Sequence, residues 1–472
     1  MTYFNFDKNT YENLPEIFWK KQDPQVFKDP KILVFNDKLA KELDINIQVI
    51  SEPNILTSGQ ESLLTMAYAG YQFGNFVMLG DGRAALLGEH KSPNGIYDIQ
   101  LKGSGRTPFS RGGDGYAAIM PMLREYIISE FLAAMGIPTS RSLAVATTGQ
   151  YVQREELLTG AVLTRVAKSH LRVGTFDYAS TYGQLSDIKA LADYSIDRHY
   201  PDLQNIVDLS ERYLAFLNQV IIAQSKLVSK WQQIGFVHGV MNTDNMTISG
   251  ESIDFGPCAF LDVYNQDAVF SSIDRMGRYA YKNQAGIALW NLTRLAEDLL
   301  PLFDHNQEKA IEKAQSQLST FSKIYNDQWL TGMRSKLGLY NYDEKDGELV
   351  KNLLTIMEKN QLDYTNTFVD LANGIGEIFT LPEAEPWLIS WNNRINEQIK
   401  SKEEIIDLMK KHNPTVIPRN HLVEEALQKA DNGDMSYFNE LIRILQSPFQ
   451  NHKEKYTSPP EKSYRCITYC GT

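Results

Sequence analysis

Asn245 and Asp254 stand nine positions apart on either side of the short polar stretch MTISGESI. An amide oxygen and a carboxylate are the hard donors that a Mg²⁺ or Mn²⁺ ion takes, so the pair reads as a metal site. Asp244, next to Asn245, is the only carboxylate in the octapeptide HGVMNTDN, residues 238–245. It is the candidate general base for a hydroxyl nucleophile; the alternatives are a loop cap or a partner that orients a metal ligand.

A metal held this way usually serves a phosphorylated substrate, and phosphates need cations. Lys102 closes the apolar-polar alternation of YDIQLKG, and Glu125 lies on the helical pattern that follows, where it can orient the lysine; Glu130 is the second choice. Arg165 and Arg172 in TRVAKSHLR are seven apart, which on a helix puts both guanidinium groups on nearly one face, and guanidinium suits phosphate. The turn GDGR (Gly80, Gly82, Arg83) and the loop GGDG (Asp114, Gly115) let backbone N–H groups approach a phosphate closely.

These residues need strands, a helix and a turn to carry them. FVMLGDGRAALLGE (76–89) reads as strand, glycine turn, strand, and YDIQLKG as a third strand. YAAIMPMLREYIISEFLAAMG has helical spacing, with Pro121 in its first turn and Gly136 at its end. A long apolar helix spans 209–235, and 246–256 alternates like a hairpin that ends in Asp254-Phe255-Gly256. Helical periodicity dominates from about 280 to 450. The order is that of a two-lobed α+β kinase-like fold. The octapeptide follows the kinase catalytic loop H-R-D-x-x-x-x-N, except that its Asp position holds Val240. The expected divisions are an N-terminal extension (1–70), an N-lobe (71–160), a C-lobe with the metal site (161–330), a helical region (331–450) and a tail (451–472).

GDGRA, QLKGSGRTPFSRGGDG, LREYIISE, GIPTSRSLAV, RVAKSHLRVGTF, HGVMNTDNM, IDFGPCAFLD, NPTVIPRNH and the closing YCGT together resemble the selenoprotein O (SelO, YdiU) family of protein adenylyltransferases. The resemblance runs from about residue 65 to the end. It implies a kinase-like fold that binds ATP in reverse and transfers AMP to protein hydroxyls. Lys102, Glu125, Arg165 and Arg172 would cradle the phosphates, with Gly80, Gly82, Arg83, Asp114 and Gly115 lining the nucleotide. Asn245 and Asp254 would hold Mg²⁺, Asp254 also facing the nucleotide, and Asp244 would be the base. Two positions depart from the family: the second loop reads GDGY where GDGR is usual, so Tyr116 replaces a cation, and Cys470 stands where eukaryotic members carry selenocysteine. UMP transfer, ordinary phosphotransfer with Asp244 as the base, and a nucleotide-binding scaffold are the competing expectations.

Composition narrows the partners. A net charge of −11 argues against nucleic acid and anionic membrane surfaces. No apolar run reaches membrane-spanning length, and the N-terminus lacks the pattern of a signal peptide, so a cytoplasmic location is expected. With three cysteines a disulfide framework is excluded. Cys258, four residues after Asp254, and the tail pair Cys466 and Cys470 are candidates for a redox lock over the site, provided the geometry allows the bond.

Overall fold

The computed structural model describes residues 3–6, 9–59, 61–461 and 464–468. Its strands are β1 (Trp19–Gln22), β2 (Lys31–Phe35), β3 (Leu63–Met66), β4 (Ala69–Gln72), β5 (Asn75–Met78), β6 (Ala84–Ser92), β7 (Gly95–Lys102), β8 (Ala117–Ala118), β9 (Arg141–Gln153), β10 (Leu157–Ala167), β11 (Phe236–Val237) and β12 (Ala259–Phe260). The helices that bear on the site are α1 (Asp37–Glu42), α2 (Ile119–Ala134), α3 (Val173–Tyr182), α4 (Leu185–His199), α5 (Leu209–Gln233) and α6 (Gln284–Phe303). Helices follow α6 as far as Thr457, and no further strand occurs there among the described residues. The chain is thus mixed, with its long strands first and its helices after.

The main sheet runs β1-β3-β6-β7-β10-β9-β2, with β8 on β10, and every pair is antiparallel. Residues before 70, expected as an extension packed on the fold, supply both edges of this sheet. Short strands gain their stability from partners far away in sequence, so local patterning marks them weakly. The sheet also continues through β10 to Ala167, past residue 160.

The expected strands on either side of the glycine turn form as β5 and β6, but they do not pair with each other. β5 pairs instead with β4 in a separate two-stranded sheet, and β6 enters the main sheet, so the segment 79–83 crosses from one sheet to the other.

On β7 the side chains alternate by face. Ile99 and Leu101 enter apolar clusters, whereas Gln100 and Lys102 turn toward polar partners. Helix α2 has Pro121 in its first turn and ends before Gly136 at φ 67°, as expected. Its apolar residues Leu123, Ile127 and Phe131 belong to the largest core cluster, with residues of α3, α5 and α6. The helix Asn420–Asp431 packs on α2 as well: Arg124 Nη2 donates to Asn420 Oδ1 at 2.7 Å and to the Cys258 carbonyl at 2.8 Å. A second core, built around Leu353, Trp387 and Trp391, sits among the helices beyond residue 330. No helix of the described residues is long and apolar enough to cross a membrane.

Candidate active site

Lys102, Arg165 and Arg172 converge on one carboxylate. Asp254 Oδ1 accepts from Lys102 Nζ at 2.6 Å and from Arg165 Nη1 at 2.6 Å, and its Oδ2 accepts from Arg172 Nη1 at 2.7 Å. Burial pushes the Asp254 carboxyl up, but Lys102, Arg165 and Arg172 prevail and hold it well below the usual carboxylate range. Asp254 has φ 63°, a left-handed conformation that Asp tolerates better than most residues. This placement costs about 1–3 kcal/mol, which the surrounding structure must offset.

Each cation reaches that point from a different element. Lys102 ends β7 and is held from behind by Glu125 of α2. Glu130, the second choice, instead binds Arg141 at 2.8 and 2.9 Å. Arg165 sits on β10 directly across from Gln100 of β7 and hydrogen-bonds its side chain. Arg172 precedes α3. The two arginines are therefore not on one helix, as their spacing implied. A strand and the start of a helix bring them together, because the chain between them turns from the sheet into α3.

The octapeptide 238–245 is anchored through buried polar contacts. His238 donates its backbone N–H to Gln284 Oε1 at 3.0 Å, and its Nε2 lies 2.8 Å from the Ile253 carbonyl, which fixes the approach to Asp254. The expected hairpin over 246–256 does not form. Each arm pairs outward instead: Thr247 bridges Arg172, and Ser252 bridges Thr139. Both arms are buried, so their backbone groups need partners, and the neighbouring segments provide them.

Asn245 donates Nδ2 to the Val240 carbonyl at 3.0 Å, which leaves its Oδ1 as an open acceptor in the same cavity as Asp254. No cluster of three or more His, Cys, Asp or Glu side chains suited to a metal occurs among the described residues. Mg²⁺ commonly takes one or two protein oxygens and completes its shell with phosphate and water, so Asn245 and Asp254 fit it as a partial site. Asp244 Oδ1 is buried with no hydrogen-bond partner among the described residues. Burial pushes the Asp244 carboxyl up to about 7 against the pull of Arg172, while Arg172 Nη1 also holds the Asp244 carbonyl at 2.5 Å.

These residues line an inner cavity of about 200 Å³. It meets an outer one of about 510 Å³ at Tyr68, Gln72, Gly82, Arg83 and Asp244. Gly80 is required in the wall of the outer cavity: it has φ 86°, and a β-carbon there would fall 2.5 Å from the Phe109 ring. Thr107 Oγ1 donates to the Asp81 carbonyl at 2.6 Å, and Ser110 Oγ donates to the Gly82 carbonyl, so the loop 107–110 is tied over the glycine turn.

Sequence reasoning passed over three residues of this site. Asp81, between the two glycines, is buried in the inner cavity. Its Oδ2 accepts from the Met66 N–H at 3.0 Å and from Gln100 Nε2 at 3.3 Å, and burial pushes its carboxyl up to about 6 although Arg172 opposes this. Its place within GDGR was the available signal. Tyr68 lies under the Arg172 guanidinium, 4.6 Å from ring centroid to Cζ, and no local pattern marks it. The third, Arg154, belongs to the outer loop described below.

A family model described as protein adenylyltransferase SelO matches residues 3–446. The chain belongs to the SelO family. Proteins named protein nucleotidyltransferase YdiU from Clostridium perfringens (strain SM101 / Type A), Shouchella clausii (strain KSM-K16) and Geobacillus kaustophilus (strain HTA426) are 52%, 51% and 52% identical to it. The alignments cover 100%, 99% and 99% of this chain and 98%, 99% and 99% of theirs. The chain is accordingly a nucleotidyltransferase that uses a nucleotide substrate.

Against the SelO pattern, Tyr116 stands where a cation is usual, yet a cation does reach that loop. Arg154, from the turn between β9 and β10, binds both carboxylate oxygens of Asp114, at 2.8 and 3.1 Å, and donates to the Tyr116 carbonyl at 2.9 Å. Asp114 and Gly115 line the outer cavity and are separate from the three cations that meet at Asp254.

Of the redox candidates in this SelO chain, Cys258 is fully buried and its thiol donates to the Phe255 carbonyl at 3.3 Å. Cys466 is half-buried, and both thiols are unbonded and pushed up to about 12 by burial. Cys470 lies outside the described residues. The tail reaches the same place through Thr468, whose Oγ1 donates to the Pro257 carbonyl at 2.6 Å and whose N–H donates to the Phe270 carbonyl at 2.9 Å.

Proposed function

We propose that the chain transfers AMP from ATP to Ser, Thr or Tyr hydroxyls of proteins on a protein-kinase-like two-lobed scaffold, releasing pyrophosphate. The observation that carries this reading is the meeting of Lys102, Arg165 and Arg172 deep in the inner cavity, while Val240 takes the position of a kinase base and Asp244 stands at the junction with the outer cavity. A triphosphate whose β- and γ-phosphates enter first, on those cations, leaves the α-phosphorus at that junction.

In this reading Asp244 takes the proton of the acceptor hydroxyl. The hydroxyl oxygen forms a bond to the α-phosphorus, the bond from that phosphorus to the bridging oxygen of the β-phosphate breaks, and pyrophosphate departs. Lys102, Arg165 and Arg172 hold the charge that gathers on the leaving group, as preorganised cations in a dry site do. Asn245 and Asp254 would hold Mg²⁺ or Mn²⁺, which supplies further neutralisation of the phosphates when bound. Glu125 keeps Lys102 in place, and Gly80, Gly82, Arg83, Asp114 and Gly115 frame the rest of the nucleotide.

Product analysis tests the reading. Incubation of the chain with ATP, Mg²⁺ and a hydroxyl-bearing protein pool should release pyrophosphate in step with protein modification. Release of ADP instead would make this a phosphotransferase, and modification only with UTP would change the transferred group to UMP. Oxidative locking of the tail by a disulfide from Cys258 to Cys466 or Cys470 belongs to the same proposal: two thiols give up two electrons and two protons to added peroxide, which becomes water. Non-reducing peptide mapping after such treatment should find Cys258 linked to a tail peptide.

A further inference from the structure

Beside the inner cavity lies a second, open groove of about 570 Å³, between the turn that joins β4 to β5 and the first turns of α6. The two share a wall. Asn242, which lines the inner cavity, accepts at Oδ1 from the Phe73 N–H at 3.4 Å and from the Tyr279 hydroxyl at 2.5 Å. Phe73 and Arg278 line the groove itself, and Gln72, the residue before Phe73, lines the inner and outer cavities. The groove and the inner cavity are thus joined through Phe73, Tyr279 and Asn242.

The groove presents apolar and cationic groups on a rigid frame. Met276 is 93% exposed and Ile273 54% exposed, although the segment that carries them is held firmly. The buried Asp274 carboxylate accepts from the Arg278 and Tyr279 N–H groups at 2.9 and 2.8 Å. Met276 and Ile287 line the groove, so an apolar side chain of a ligand can cover them there.

Arg278 is half-buried, and no ion pair holds its guanidinium among the described residues. The group lies over the Trp290 ring at 4.9 Å, and its Nε is buried without a hydrogen-bond partner. Removing a cation from water without a carboxylate is costly, and a ligand carboxylate would relieve that cost. Arg275 is exposed next to Met276, and Lys282, which is bound to Asp267, stands across the groove. This face is cationic on a chain whose net charge is −11, which favours an acidic partner.

We propose that this groove docks an acidic segment of the acceptor protein, with a carboxylate on Arg278 and a large apolar side chain against Met276 and Ile287. The inference rests on the reading above, in which a protein supplies the hydroxyl, and it names the class of segment selected. The segment enters past Phe73 and Gln72, and its hydroxyl residue arrives at Asp244.

Direct binding tests the groove apart from the transfer chemistry. Short fluorescein-labelled peptides with a central Ser, Thr or Tyr are flanked by Glu and Leu, or by Lys and Leu, and fluorescence anisotropy follows their binding to the full chain. The acidic peptide should bind about tenfold more tightly than the basic one, and Arg278→Glu should abolish or reverse that preference. Met276→Glu, at a position too exposed to affect folding, should weaken the acidic peptide several-fold, by about the cost of losing one apolar contact and adding one like charge. Equal binding of the two peptides, binding of neither, or a preference that survives Arg278→Glu would overturn the proposal. Self-association of the chain that Arg278→Glu abolishes would assign the groove to a second copy, and would overturn it too. Selective binding of a peptide that is then labelled only from the γ-phosphate would uphold the groove and contradict AMP transfer.

Discussion

Gly70 lies so close to Asp244 that a β-carbon built on it would fall 2.0 Å from Asp244 Oδ1. Gly174 crowds the same residue, its β-carbon position lying 3.2 Å from the Asp244 Cα and 2.0 Å from the Ala69 carbonyl oxygen. The proposed base thus occupies a slot cut by two glycines.

Gly70→Ala should therefore move the carboxylate and lower transfer by about 10–100-fold, the size of effect that a displacement near 1 Å produces. Asp244→Asn should lower it by about 10²–10⁴-fold. The double variant should be no slower than Asp244→Asn alone, since both changes act on one group. Additive losses in steady-state kinetics would show that Gly70 serves something else.

Asp254 neutralises Lys102, Arg165 and Arg172 in the described state. Asp254→Asn should bring metal-dependent transfer to background, yet it should bind ATP in the presence of a chelator at least as tightly as the parent, because a carboxylate no longer competes with the phosphates for the cations. Calorimetric titration without metal reads this directly. Weaker binding would mean that the cations are not the phosphate site.

Arg154 holds the outer loop through an ion pair that is partly exposed, and such pairs contribute about 0–1 kcal/mol. Arg154→Ala should raise KM for ATP by up to about fivefold, the equivalent of about 1 kcal/mol, while kcat stays within about twofold. A loss confined to kcat would place Arg154 in the chemistry instead.

Lys336 is buried over the Phe368 ring at 4.2 Å, and burial lowers its amine to about 7. The unfolded chain then binds a proton that the folded chain does not between pH 7 and the ordinary lysine range, so this residue makes stability rise with pH across that window. Lys336→Met should stabilise the protein at pH 7 by about 2 kcal/mol or more, each tenfold in proton affinity being about 1.4 kcal/mol. It should also flatten the pH dependence of Tm above pH 7. An unchanged slope would mean that the amine finds a partner when protonated.

Much of the site was legible because its residues sit on strong local patterns. The alternation of β7 delivered Lys102, the periodicity of α2 delivered Glu125, and the spacing from His238 delivered Asn245 and Asp254. Arg165 and Arg172 were found by residue type, although the element assumed for them was wrong: a strand and a helix start brought them together, where periodicity offered a helix. Gly70, Tyr68 and Arg154 could not be read because their meaning depends on contacts with distant segments, such as Gly70 with Asp244 and Arg154 with Asp114. The edge strands β1 and β2 were hidden for the same reason. Their registers are set by Leu63–Met66 and by β9, and local sequence does not encode them.

The most direct measurement is the fate of two labels. The purified chain is incubated with Mg²⁺, a hydroxyl-bearing protein pool and ATP labelled at either the α- or the γ-phosphate, and the proteins are separated under denaturing conditions. Label retained only from the α-phosphate, and lost in Asp254→Asn, is the expected result. Label retained only from the γ-phosphate would contradict the account and return Asp244 to the role of a displaced kinase base.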